Sequence, residues 1–560
     1  MSLFQIAYTV LGGLGIFFYG MKTMSDSLQA MAGEVIKRII NSLTSNRFFA
    51  VLVGTAVTTI VQSSSVTTVM VVGFVNAGLM ELTQAIGVIL GANIGTTITG
   101  WIISIKIGKY GLLFIGLGII PALFGNNEKL KGLGKVLFGI GMIFFGLEIM
   151  SNAFKPLRSH DEFLNAISYF NGSTYGHYFA SIITGCFLTV VIQSSSAMLG
   201  ITIALALSGI INFNTAAALV MGENIGTTIT AILASIGANT NAKRAAYAHS
   251  VFNVLGVVVL FSVFPYYLEL VENLIPGLAN FTNSQGDRPF IASHIAAAHS
   301  IFNVANSLLF IPLLPMLKNL VVYLAPDKEE KETDKFIMIG NAKDIVPATA
   351  IVQAQSELVK FKEILERMYH TTHKYLSLES AKEEKKVYQK IIDYENICDN
   401  IQKEITVFLC HTMEKEMVVG QSKQIQSLIR VADEIESVAD YLTSIATYKK
   451  RLKEERLSAE LLKEFTGFME EVWSFFMHCF SGIEGDVSVD IAKIETMSNT
   501  LKDLANGIRD KHLERIGKKA YSPVSALTYS DMIVSLRKMR AHAQNIAENS
   551  VILSTNHEQS

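Results

Sequence analysis

Two tetrapeptides, Gln62-Ser-Ser-Ser65 and Gln193-Ser-Ser-Ser196, set one amide and three hydroxyls inside long uncharged stretches of a 560-residue chain. Glutamine donates through its NH2 and accepts through its oxygen, and serine does either. A half-helix starting after the serines adds backbone donors. Two such tips facing each other could surround a tetrahedral oxyanion without a Lys or Arg charge, and neutral donors release what they bind. Each glutamine is followed, 29 residues on, by a second cluster: Gly91-Ala-Asn-Ile-Gly-Thr-Thr97 and Gly222-Glu-Asn-Ile-Gly-Thr-Thr228. Asn93, Thr96, Thr97 and Thr99 offer hard neutral oxygens that suit Na+, and Asn224, Thr227, Thr228 and Thr230 repeat them. The local alternative is that these side chains bond nearby backbone or tie helices together. Glu223 stands where the first copy has Ala92. A carboxylate in such apolar surroundings is expected to tune cation affinity, approach a proton or pair with a cation.

The elements that carry these groups are apolar helices. The chain is 50% hydrophobic and 17% charged, with a mean hydropathy of +0.35. Residues 1–326 hold 15 Lys/Arg and 11 Asp/Glu, a net +4, while 327–560 hold 32 and 38, a net −6. The change at Pro326 separates a lipid-compatible region from a water-compatible one. Uncharged runs such as 48–80, 82–105, 163–222 and 289–317 make a multi-pass membrane protein. The N-terminus lacks a basic region before its apolar run and reads as a retained first span. Residues 24–42, more polar and with apolar positions at helical spacing, read as an interfacial helix. The four cysteines form no CxxC pair and fit a reducing compartment.

The 48–80 run is a poor single span, because Gln62-Ser-Ser-Ser65 cuts it into two arms, each short of the roughly 20 residues a bilayer needs. A re-entrant hairpin with a polar tip explains it better, and such backbone is tolerated only inside protein or beside a watery cavity. The pattern recurs around Gln193, and both polar motifs recur at an offset of 131 residues. Leu11–Gly20 likewise resembles Leu137–Gly146, at an offset of 126. A smaller echo links Ala248-His-Ser-Val-Phe-Asn-Val254 to Ala298-His-Ser-Ile-Phe-Asn-Val304. That echo makes His249 and His299 secondary candidates, read first as helix-packing residues.

These paired motifs resemble those of the sodium/phosphate cotransporter family across roughly residues 1–320. The resemblance implies an all-α, polytopic transporter of duplicated, inverted repeats with re-entrant hairpins, moving inorganic phosphate with Na+ as coupling ion by alternating access. It makes Gln62, Ser63, Ser64, Ser65, Gln193, Ser194, Ser195 and Ser196 the phosphate candidates. Thr67, Asn93, Thr96, Glu223, Asn224 and Thr227 become sodium-binding or supporting candidates. The second signature has Met198 where the first has a threonine, which sets the two halves apart. Repeat 1 is expected over 1–130, repeat 2 with its following helices over 131–325, and a linker over 326–342.

Residues 343–560 show long amphipathic patterns with few glycines or prolines, the mark of a helical bundle. Asp433–Asp440 puts Glu436 and Asp440 on one helix face, where they form a solvated acidic surface or part of a metal site. This region resembles a PhoU-type regulatory domain, a pair of three-helix repeats, with Glu434, Glu436 and Asp440 in its acidic motif. The resemblance implies a divalent or transition metal at those three residues and cytoplasmic placement below a cell membrane. It also implies regulation by phosphate status. A second copy of the chain or a phosphate-signalling protein is the partner expected of the tail, beside membrane lipids. No nucleophile–base constellation points to an enzyme, and no basic aromatic surface to nucleic acid. The rivals are proton coupling, another oxyanion, phosphate export, and a membrane-anchored phosphate-signalling protein. Net inward symport is the leading expectation.

Overall fold

The computed structural model describes residues 2–554 except 42–45, 77, 106–109, 160–168, 237, 285, 327–346, 415–416, 418, 453–454, 485–489 and 519–520. Among the described residues every regular element is helical. The chain divides into two compact units, one holding the apolar helices up to Leu324, the other taking residues from Thr349 on. The expected linker lies outside the described residues from 327 on, as do 343–346 of the expected tail domain.

Seven helices among the described residues are long and apolar enough to cross a membrane. The first, α1 (Leu3–Asn41), has 39 residues. Residues 24–41, expected as a separate interfacial helix, simply continue it. Nothing from Met21 to Ala32 breaks a helix, since that stretch has neither glycine nor proline. At 1.5 Å per residue α1 is about 58 Å long, nearly twice the roughly 30 Å hydrocarbon layer. It packs on α7 (Glu128–Phe154) through the glycines of the two related apolar motifs. A Cβ on Gly20 would stand 2.7 Å from the Gly139 carbonyl oxygen.

The polar motifs sit on shorter pieces. In the first half α2 (Arg47–Val61) and α3 (Ser64–Asn76) flank the first tetrapeptide, while α4 (Leu82–Gly95) and α5 (Thr97–Ser104) carry the second motif. Next comes α6 (Gly111–Phe124), which packs on α7. In the second half α8 (Tyr175–Ile192) and α9 (Ser195–Leu207) match α2 and α3, and α10 (Phe213–Gly226) and α11 (Ile229–Ala234) match α4 and α5. None of α2, α3, α8 and α9 exceeds 18 residues.

Two backbone crossings hold these pieces. Helix α2 lies on α4 and α8 on α10, close enough that only glycine fits between them. A Cβ on Gly54 would meet the Val88 oxygen at 2.0 Å, and one on Gly91 the Val51 oxygen at 1.9 Å. At the repeat offset Gly185 faces the Leu219 oxygen at 2.2 Å and Gly222 the Ile182 oxygen at 2.0 Å. The half-helices then pack crosswise, α3 against α11 and α9 against α5. Two long helices complete the core: α12 (Thr240–Ser262) lies against α3, α4 and α10, and α14 (Ile291–Leu324) against α4, α5, α9 and α10. Between them, α13 (Phe264–Leu274) packs on both.

The second unit contains six helices among its described residues: α15 (Pro347–Leu376), α16 (Ala381–Met413), α17 (Val419–Arg451), α18 (Ala459–Glu484), α19 (Ile491–Gly517) and α20 (Pro523–Ser554). The apolar stripe of α17 is buried at Ile425, Leu428, Ala432, Ile435, Val438 and Ala439 and half-buried at Ile429. Tyr369 of α15 stacks on Trp473 of α18 with ring centroids 4.2 Å apart. Glu464 of α18 accepts from Arg515 of α19 at 2.8 Å and from the Tyr529 hydroxyl of α20 at 2.7 Å. Helix α20 thus packs on α17, α18 and α19.

Candidate functional site

Both tetrapeptides begin with the same backbone break. Gln62 ends α2 at φ 58°, ψ 24°, and Gln193 ends α8 at φ 58°, ψ 22°. They are the two non-glycine residues with positive φ among the described residues. Left-handed backbone costs a side-chain-bearing residue of order 1–3 kcal/mol, so both positions need support from their surroundings. Each glutamine N–H closes the preceding helix, onto Thr58 O and Thr189 O, both at 2.7 Å.

The first serine of each set is a helix cap. Ser63 Oγ accepts from Val66 N and Ser194 Oγ from Ala197 N, both at 3.2 Å. This leaves Ser64, Ser65, Ser195 and Ser196 in the first turns of α3 and α9, where backbone N–H groups lack helical partners and the helix dipole favours an anion. The hydroxyl of Ser65 lies 3.2 Å from that of Thr227, 162 residues away in the chain. That contact joins the first tip to the second motif of the other half. The offset-related pair, Ser196 and Thr96, forms no hydrogen bond in the structure.

The halves differ in other respects. The Gln62 side chain is buried, accepts from Thr99 Oγ1 at 3.0 Å and donates to Thr59 O at 2.5 Å. Gln193 is exposed. Behind the first tip, Ser25 and Gln29 of α1 donate to Val61 O at 2.8 and 3.2 Å, a support that their i, i+4 spacing on a polar helix face could have signalled. Thr67 is buried, donating to Ser63 O at 3.1 Å and accepting from Thr58 Oγ1 at 3.0 Å. Its hydroxyl therefore braces α2 against α3 and keeps one acceptor lone pair.

Asn93 and Asn224 are both buried but differently placed. Asn93 donates to Asn253 Oδ1 and faces His249 Nε2, each at 3.4 Å, so the Ala-His-Ser-Val-Phe-Asn echo brings its His and Asn onto the motif. Asn224 bonds its own helix at Val220 O, 2.9 Å away. Asn303, the echo counterpart of Asn253, is buried with its Oδ1 unpartnered in the structure. Thr96 and Thr227 cap α4 and α10 with their backbone N–H groups and are buried. Glu223 is 3% exposed and accepts from Thr202 Oγ1 of α9 at 2.8 Å. Thr202 had not been singled out; it is a hydroxyl in the otherwise apolar arm of the second half-helix.

In the tail the three acidic candidates part company. Glu434 and Glu436 are two positions apart on one helix, about 200° around its axis, so they face different neighbours. Both Glu434 oxygens are held from α20, by His542 Nδ1 at 2.6 Å and Asn545 Nδ2 at 2.9 Å. Glu436 and Asp440 instead sit in the field of Asp399 on α16, with Glu395 close to Asp440. Among the described residues no group of three His, Cys, Asp or Glu side chains gathers to hold a metal. Glu434 thus stands apart from the Glu436–Asp440 pair.

Burial, followed by the neighbouring Asp440 and Asp399 charges, pushes the Glu436 carboxyl up to about 7. In the unfolded chain it ionises near 4.5. The folded tail therefore binds more proton between these values, and its stability falls as pH rises through that window. Glu436→Gln should remove this and stabilise the tail at about pH 8 by roughly 1 kcal/mol, after discounting for partial exposure. Melting followed through Trp473 in a Trp101→Phe background measures it. An unchanged gap between about pH 5 and 8 contradicts it.

Residues 16–152 and 164–279 match the family profile described as Na+/Pi-cotransporter, and residues 358–448 match that described as PhoU domain. "Uncharacterized protein YqeW" of Bacillus subtilis is 35% identical over 275 residues, 49% of this chain and 87% of that protein. "Putative inorganic phosphate export protein YjbB" of Escherichia coli K12 is 23% identical over 513 residues, 92% of this chain and 89% of that protein. "Sodium-dependent phosphate transport protein 2A" of Rattus norvegicus is 38% identical over 98 residues, 17% of this chain and 15% of that protein. No solved structure matches the chain.

Proposed function

Because the chain belongs to the Na+/Pi-cotransporter family and carries a PhoU domain behind its membrane region, we propose that it transports inorganic phosphate by alternating access, with net movement outward. The tail regulates that movement from the cytoplasmic side of the inner membrane. Outward direction is supported by the relative named for phosphate export, which is similar over 92% of this chain, membrane region and tail together. The geometric support is the Ser65–Thr227 contact, because it brings one broken tip to the partner half. In this reading α2–α3 and α8–α9 are re-entrant hairpins of an inverted repeat. Their second and third serines and half-helix N-termini hold the oxyanion, and Gln62 and Gln193 shape the tips. A bound, neutral-donor cradle at a repeat interface is the arrangement that discontinuous helices suit.

The two halves stand in different conditions: Gln62 of the first tip is buried and its Ser65 is tied across, while Gln193 of the second is exposed. Alternating access requires such an inequality to reverse when the substrate crosses.

Inward movement coupled to Na+ is the second reading, favoured by the 98 residues at 38% identity to the protein named for sodium-dependent transport. Asn93, Thr96, Asn224 and Thr227 would then supply cation oxygens. Full-length protein in liposomes with labelled phosphate decides between them. Efflux from phosphate-loaded vesicles that ignores an imposed Na+ gradient supports export; uptake that follows the gradient supports symport. Failure to move phosphate in either direction would sink the transport reading altogether.

A further inference from the structure

We infer that the tail holds a phosphate group, free or esterified, in the groove between α19 and α20, on Lys502, Arg537 and Arg540. Such a site gives the tail a ligand of its own, whatever the membrane unit moves.

The last three tail helices repeat the first three with the charge reversed. Helices α17 and α20 bury the same positions at an offset of 104 residues: Ile425, Leu428, Ile435 and Ala439 in one, Tyr529, Met532, Met539 and Ala543 in the other. Helices α16 and α19 do so at an offset of 103, where Ile391, Cys398 and Ile405 match Ile494, Leu501 and Ile508. In that register Arg537, Arg540 and Gln544 take the places of Asp433, Glu436 and Asp440. Ser498 and Lys502 take those of Glu395 and Asp399. Five carboxylates thus give way to three cations and two neutral hydrogen-bonding groups. The groove that repels an anion in the first half attracts one in the second.

The packing gathers these five residues. Helices α19 and α20 run antiparallel, since Ser498 bonds Gln544 and His512 faces the Ala526 carbonyl. Arg540 donates through Nη1 to Ser498 Oγ and to Gln544 Oε1, and Ser498 Oγ donates to Gln544 Oε1 at 2.7 Å. Both partners of Arg540 are neutral, and the rest of its five-donor fork forms no hydrogen bond among the described residues. Lys502 stands one turn after Ser498 and Arg537 one turn before Arg540, so the antiparallel pairing puts both cations at one end of the groove. Glu495 and Glu548 lie a turn beyond Ser498 and Gln544, at the other end, where Glu548 accepts from Gln544 Nε2 at 2.9 Å.

None of the three cations forms an ion pair among the described residues. Elsewhere in the same bundle Arg451 pairs with Asp531, and Arg515 with Glu460 and Glu464. Arg540 is half-buried, and burial, followed by the neighbouring Arg537 charge, holds its guanidinium below its ordinary value. A phosphate dianion would relieve that repulsion, and guanidinium forks match phosphate oxygens two at a time.

The test uses purified full-length protein without divalent metal, with hydrogen exchange followed peptide by peptide. The probes are inorganic phosphate and adenosine triphosphate, each titrated separately. At least one should protect the peptides spanning 494–506 and 534–548, and the more effective of the two tells a free phosphate from an esterified one. Arg540→Gln should weaken that binding by about 10–100-fold. Arg540 also braces Ser498, so the exposed Lys502 supplies a second variant. Lys502→Glu should weaken binding by at least about tenfold with the fold intact. If neither probe protects those peptides, or if Lys502→Glu binds as wild type does, the inference is overturned. Because the peptides belong to the tail, a wild type that moves no phosphate sinks the transport reading alone and leaves this site standing.

Discussion

Ser195→Asp is expected to cut phosphate flux by about a thousandfold while leaving the protein as stable as before, or slightly more so. Ser195 opens α9, where the helix dipole welcomes a negative charge. A fixed carboxylate there should stabilise the helix by about 0.3–1 kcal/mol. The same carboxylate would stand where the oxyanion has to sit. Two unit charges about 4 Å apart repel by roughly 4 kcal/mol at an effective dielectric of about 20, close to three orders of magnitude in affinity. Stability and transport therefore move in opposite directions, which a misfolded variant cannot imitate. Labelled-phosphate flux in liposomes measures one, and thermal melting of the detergent-solubilised protein the other. Flux within threefold of wild type would remove Ser195 from the path. Ser194→Asp offers a control of different kind, since Asp is itself a good cap and Ser194 already serves as one.

The contrast between those two serines marks how far the chain could be read without coordinates. The helical segments, the polar region beyond Pro326 and the two polar motifs are legible because hydropathy and spacing are local properties. The roles inside Gln-Ser-Ser-Ser are not, because a cap and a ligand use the same side chain. Only the bonds of Ser63 and Ser194 to Val66 N and Ala197 N separate them from their neighbours. Thr67, a sodium-binding or supporting candidate, bonds Thr58 Oγ1 and Ser63 O, a pairing across the turn that spacing does not reveal. Thr202 and Glu223 are 21 residues apart on different helices. The separation of Glu434 from Glu436 was legible in principle, since two positions on a helix never share a face. What hid it was the strength of the acidic motif as a pattern. The continuity of α1 was obscured by polarity: Lys22 and Asp26 suggest a change of element, although charged residues do not end a helix that has apolar spacing on its other face.

The glycine crossings give the largest expected effect on folding. Gly91→Ala should destabilise the membrane unit by about 3 kcal/mol or more, and Gly222→Ala should do the same. In each case the new methyl group would lie about 2 Å from a carbonyl oxygen of the facing helix. Backbone cannot swing aside as a side chain can, so α2 must leave α4, or α8 must leave α10. Small residues matter most in lipid, where helices gain little from apolar burial and depend on close backbone contact. Gly507, in the middle of α19, has open space around the position of its Cβ. Gly507→Ala should stabilise the tail by about 0.5–1 kcal/mol through helix propensity alone. Fluorescence-detected gel filtration of the full chain compares the three: two should lose the monodisperse peak or melt far lower, and the third should not. A Gly91→Ala protein that melts with wild type would mean that α2 and α4 separate freely. The crossing could then no longer serve as the rigid mount that keeps Gln62 and Asn93 in register with the opposite half.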